Sequence, residues 1–169
     1  LIAGLPGEDM ASFEAGFNRL LALNPQEIQL GILKRLRGAP IDRHTREWNM
    51  IYSPHAPYEI LQTSLISFEQ MQRIQRFARY WNLTVNNGQF IETAPLIWQD
   101  APSPVAAFMQ WSDWLYAQTG TTGNLHMVRL ARLLMQYLAE ENGLQEKTIA
   151  ETLWNDYQRG NRPDVPGFL

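Results

Sequence analysis

The opening of the chain changes its hydrophobic period twice. Leu1 to Ala3 is an apolar run too short for anything but a strand end, and Gly4-Leu5-Pro6-Gly7 follows as a turn whose glycines permit positive φ and close backbone approach. Phe13, Phe17, Leu20 and Leu21 then recur at the spacing of an amphipathic helix, with Glu8 and Asp9 placing negative charge on its first turn. Asn24-Pro25 stops that helix, and Ile28, Leu30, Ile32 and Leu33 read as a second buried strand ending near Lys34. Strand, helix and strand in this order predict a right-handed parallel crossover over residues 1–38. The loop from Gly4 to Glu8 then lies at the carboxyl end of a strand, where parallel α/β folds bind ligands.

An irregular linker follows over 39–63. Trp48 to Ser53 and Tyr58 to Gln62 are rich in β-formers and are separated by Pro54-His55-Ala56-Pro57, which predicts a small hairpin. From residue 64 to 160 the pattern is helical. Ser67 and Gln70 form a capping box ahead of a stripe of Phe68, Met71, Ile74, Ala78 and Trp81, and Asn86-Asn87-Gly88 ends that helix. A shorter helix is expected from Gln89 to Trp98, bent at Pro95. Ser103-Pro104 opens the next, which carries Val105, Phe108, Met109, Ser112, Leu115 and Tyr116 on one side and closes at Thr119-Gly120. A helix from Gly123 to Glu141, expected at the centre of the bundle, presents Met127, Val128, Ala131, Leu134, Met135 and Leu138. The last, from Gln145 to Arg159, buries Ile149, Leu153 and Tyr157 and leaves 161–169 as a tail. The fold class expected is α+β, mainly α.

Composition narrows the chemistry. The chain of 169 residues has no cysteine and three histidines, His44, His55 and His126, with no close pair, so it can hold neither an iron–sulfur cluster nor a tetrahedral zinc ion. A net charge of −3 argues against nucleic acid, and no apolar run reaches the roughly 18 residues of a membrane span. The densest basic stretch, Lys34, Arg35, Arg37, Arg43 and Arg46, is interleaved with Asp42 and Glu47 and reads as a solvated surface. A cytoplasmic setting is expected.

Other residues invite functional readings that packing explains better. Tyr52, His55 and Tyr58 share the hairpin and are expected to be packing tyrosines and a solvent histidine rather than a substrate-contacting cluster. Trp81, Trp98, Trp111, Trp114 and Trp154, with Asp113 between two of them, are expected to be core rather than the wall of a ligand cavity, because large rings are how a small bundle buries area. Asp113 gains interest only if buried, and His126 is a poor general base without a facing carboxylate.

The stretch LIAGLPGEDMASFEAGFNRLLALNPQEIQLGILKRLRG, with Met50 to Leu61 and the helices after it, resembles the C-terminal part of a radical SAM enzyme. The subgroup in question carries an N-terminal cobalamin-binding domain, a radical SAM barrel and a C-terminal domain of unknown function. The resemblance covers essentially the whole chain, departing in Asn49 where a glycine is expected and Ala39 where a threonine is expected. It implies that residues 1–38 are the last two strand units of the barrel, that Ile2, Gly4 and Gly7 lie on the adenine side of S-adenosylmethionine, and that Ile32 or Leu33 forms an apolar wall. It further implies that S-adenosylmethionine, a [4Fe–4S] cluster and cobalamin belong to the parent protein only. The missing CxxxCxxC run means that this chain cannot start a radical, and its opening strand reads as a cut edge. Its partners would be the remainder of the parent polypeptide and an unknown small-molecule or polypeptide substrate, with the helical domain capping the barrel or shaping substrate access. The other reading is a free-standing helical interaction or scaffolding module in which Gly4 to Gly7 is merely a turn.

Overall fold

A strand of two residues, β1 (Ile2–Ala3), is followed by helix α1 (Met10–Ala22) and a second two-residue strand, β2 (Gly31–Ile32), in the computed structural model, which describes residues 1–160 and Gly167. The strands are parallel, with Ile2 opposite Gly31 and Ala3 opposite Ile32. The ladder continues one step further, because the Leu33 amide donates to the Ala3 carbonyl at 2.9 Å. The crossover expected from the sequence is therefore present, but β2 is shorter than its apolar run. Ile28 is buried ahead of the ladder, since β1 offers a partner to only two residues. Asp9 is the N-cap of α1 and not part of its first turn: its carboxylate accepts from the Ser12 amide at 2.8 Å and the Ser12 hydroxyl accepts from the Asp9 amide at 2.9 Å. Phe13 and Phe17 bury one face of α1 against the edge of Phe77, at centroid distances of 6.1 and 5.1 Å.

The segment expected to be a linker is hydrogen-bonded onto the crossover. Strands β3 (Ile51–Tyr52) and β4 (Ile60–Gln62) pair antiparallel, as the hairpin pattern predicts. A bridge between Lys34 and Glu59 joins the hairpin to β2, with Ile60 donating to the Leu33 carbonyl at 2.8 Å and Arg35 to that of Tyr58 at 3.0 Å.

Helix α2 (Phe68–Trp81) starts at the predicted capping box, where Gln70 donates its amide to the Ser67 hydroxyl at 3.3 Å and accepts from the Ser67 amide at 2.9 Å. Its buried side chains are Met71, Ile74, Phe77, Tyr80 and Trp81. Phe68 is instead 44% exposed, because it lies on the first turn, before the packed stripe begins. The helix ends in a wider π-type turn over Asn82–Asn86. Two compact units, Leu1–Ala78 and Arg79 onward, divide within α2, so residues 39–63 and most of α2 group with the crossover.

In the second unit the helix expected over 89–98 is only a 3-10 turn at Ala94–Ile97. One reason is local and the other is a distant contact. Pro95 has no amide to give, and the amides of Glu92 and Thr93 are taken by the Asp156 carboxylate. Helices α3 (Pro104–Thr119), α4 (Met127–Glu140) and α5 (Glu146–Arg159) follow, α3 capped by Ser103 and closed by Gly120 at φ +64°. The helix buried on most sides is α3 and not α4, since Val105, Ala107, Phe108, Met109, Trp111, Ser112 and Leu115 occupy more than one face of it. On α4, Leu130, Ala131, Leu134, Tyr137 and Leu138 are buried while Val128 is 42% exposed. That helix begins at Met127, leaving its first turn outside the packing. Ile149, Leu153 and Tyr157 of α5 are buried as expected, joined by Asp156. Apart from Gly167, the tail expected at 161–169 lies outside the described residues. The fold is α+β and mainly α.

Candidate functional site

The loop from Gly4 to Glu8 leaves the carboxyl end of β1 and turns into α1. Gly4 has φ +89° and Gly7 φ +80°, a region that a side chain makes costly. The two glycines answer to different constraints beyond φ. A Cβ at Gly4 would stand 2.5 Å from Ile60 Cγ2 and 3.1 Å from Met71 Cε, whereas one at Gly7 would make ordinary contact with the Trp48 ring at 3.5 Å. Gly4 is therefore demanded by packing from β4 and α2 as well as by backbone conformation.

Glu8, which the sequence pattern presents only as a favourable charge on a helix, closes this loop. Its carboxylate accepts the Gly4 amide at 2.6 Å, and its own amide donates to the Leu5 carbonyl at 3.1 Å. Burial raises the Glu8 carboxyl above its ordinary range, opposed by the amides of Gly4 and Leu5 and reinforced by the charge of Asp9. The loop thus carries its own internal acceptor, and the Gly4 amide is already engaged by it.

Of the five candidate binding residues, the register separates Ile32 from the others. Side chains alternate along a strand, so Ile2 and Leu33 share one face while Ile32 lies with the buried Ala3 on the other. Ile2 is 49% exposed, with Leu1 and Leu5 also exposed beside it. Among the described residues β1 pairs only with β2, so its other edge is unpaired, next to the face that bears the exposed Ile2.

The remaining candidates are dispersed. His55 and Tyr58 are exposed, while the Tyr52 ring lies 5.4 Å beneath Arg35 and its hydroxyl donates to Met50 Sδ. His44 lies between Arg43 and Glu47, and His126 is exposed. The basic stretch is partly paired, Lys34 with Glu59 and Arg35 with Asp42. The tryptophans form two stacked pairs, Trp81 with Trp98 and Trp111 with Trp114, and Trp154 is 37% exposed, so they do not line one cavity. Asp113 is half-buried. The deeply buried carboxylate is that of Asp156, which accepts from the amides of Glu92 and Thr93, the Thr93 hydroxyl and Arg159. The Glu92 and Thr93 groups it accepts from are more than 60 residues away in sequence, so no local signal pointed to that contact. No group of three or more metal-ligating side chains occurs among the described residues, and no helix among them is long and apolar enough to cross a membrane.

Comparison with protein families matches the chain to a protein of unknown function (DUF4080) over residues 46–169, more than half of the chain. The chain belongs to the DUF4080 family. No curated protein and no solved structure matches it. The DUF4080 region begins between the loop and the residues that shape it: Gly4 to Glu8 precede it, while Trp48, Ile60 and Met71 are inside it. The family region therefore supplies the side chains against which the glycine loop is moulded.

Proposed function

We propose that this DUF4080 chain is the C-terminal part of a cobalamin-dependent radical SAM enzyme, in which β1 and β2 complete the barrel and the Gly4–Glu8 loop borders the adenine of S-adenosylmethionine. One observation carries the reading. A parallel strand pair joined by a helix has a glycine loop at the carboxyl end of β1, the outer edge of β1 is unpaired among the described residues, and the exposed Ile2 lies on one face of the pair. Parallel sheets are almost always covered on both faces and extended by further strands, so such an edge fits a neighbour from the rest of the polypeptide.

The fit to the nucleotide is partial and specific. Ile2 and Leu33 share a face on which an apolar base can lie, whereas Ile32 is on the opposite face and the Gly4 amide is held by Glu8. With no cysteine in the chain, the [4Fe–4S] cluster and the radical it generates belong to polypeptide outside it, as does the cobalamin. The helical domain serves substrate access in this reading, the reaction is methylation or rearrangement of an unidentified substrate, and the setting is cytoplasmic.

The coding sequence upstream of Leu1 tests this directly. A CxxxCxxC run preceded by a βα domain is expected, and the anaerobically reconstituted gene product should cleave S-adenosylmethionine reductively. A start codon just before Leu1 would leave the fold as a free-standing helical module and end the enzymatic reading.

A further inference from the structure

The second unit contains a cleft of about 220 Å³ between the 3-10 turn, α3 and the end of α4, well away in sequence from the glycine loop. Its floor is apolar, from Leu96 and Leu144, and its polar groups are Asp100, Gln110, Tyr137 and Asn142. The volume equals about seven water molecules' share of liquid, enough for a small organic molecule.

Asp100, Gln110 and Asn142 are exposed to solvent at the cleft, and two of them offer acceptors. The Asn142 amide nitrogen is committed to the carbonyls of Leu96 and Ile97, both at 3.3 Å, which leaves its oxygen available. Asp100 receives one hydrogen bond, from Gln99 at 3.2 Å, and retains further acceptor capacity. Tyr137 is 4% exposed, its ring held edge-on by Trp111 and Trp114 at 5.0 and 5.4 Å. Its side chain lines the cleft. Among the described residues, no lysine, arginine or histidine lines the cleft. The charge of Glu141 also reaches Tyr137, adding to burial in raising its phenol.

We infer that this cleft binds a small organic cation, an amidinium or ammonium on a compact apolar body, whose charged end donates hydrogen bonds to Asp100 and Asn142 and whose body rests on Leu96 and Leu144. The Tyr137 hydroxyl completes the polar end. Such a ligand satisfies acceptors that an anion would leave opposed.

Benzamidine is a suitable probe, with benzoate as the control of the same shape and opposite charge. Titrated into the 169-residue chain and followed by NMR, benzamidine should shift the side-chain amides of Gln110 and Asn142 saturably, and benzoate should not. Asp100→Asn should weaken benzamidine about tenfold, the loss of one charge-assisted contact. Tyr137→Phe keeps the ring and its packing, so a weakening in that variant reports the hydroxyl itself. No saturable shift, equal response to benzoate, or unchanged affinity in both variants would overturn the inference.

Discussion

Removing the Asp156 carboxylate is the sharpest test of how the second unit is held together. Its side chain is 2% exposed and accepts the Glu92 amide at 3.0 Å, the Thr93 amide at 2.9 Å and the Thr93 hydroxyl at 2.8 Å, while Arg159 donates at 3.2 Å. Asp156→Ala leaves the two amides without an acceptor; the Thr93 hydroxyl can turn to Thr152, 3.1 Å away. Orphaning a buried donor costs about 1 to 3 kcal/mol, so two amides, one of them only part-buried, amount to about 3 kcal/mol. That is a large share of the roughly 5 to 15 kcal/mol that separates folded from unfolded chains. Asp156→Asn keeps one acceptor oxygen and should lose about half as much. Arg159→Ala removes only partly exposed ion pairs and should cost less than about 1 kcal/mol. Urea unfolding at neutral pH, read by far-ultraviolet circular dichroism, measures all three. If Asp156→Ala costs no more than Arg159→Ala, the carboxylate is not what anchors the 92–93 turn to α5.

Three further outcomes concern the loop and the core. Gly4→Ala combines a strained φ with a 2.5 Å approach to Ile60 and should destabilise the chain by about 2 to 4 kcal/mol, seen as a lower urea midpoint; Gly7→Ala carries only the φ strain and should cost about 1 to 2 kcal/mol. The Glu8 carboxyl is raised in the folded state, so the folded chain binds more protons than the unfolded one between the ordinary carboxylate pKa and the raised value. Its contribution is therefore present at acid pH and lost as pH rises through that window, and Glu8→Gln should flatten this part of the stability profile measured by urea melts. A profile with the same slope in both proteins would remove Glu8 as its source. Trp81→Ala, which empties a fully buried site against Trp98 and Phe108, should cost about 3 to 5 kcal/mol by thermal or urea unfolding.

What could be read from sequence were the features with a local cause. The Ser67–Gln70 box, the Ser103-Pro104 start, the stop at Gly120 and the strand-helix-strand order each depend on residues a few positions apart, and each is present. The glycine loop was also visible, because glycine adopts positive φ at little cost. Tertiary structure alone decided the rest. Phe68 and Val128 fit their helical stripes but lie on first turns outside the packing, and the helix expected over 89–98 failed because a carboxylate more than 60 residues away claims its amides. Periodicity reports which faces are apolar, not where the neighbouring element stops. Likewise the reason for Gly4, a collision with Ile60, and the latch formed by Glu8 depend on how chain segments meet in space. Local patterns set which elements form, whereas burial and hydrogen-bond partners are set by distant contacts that no short window of residues contains.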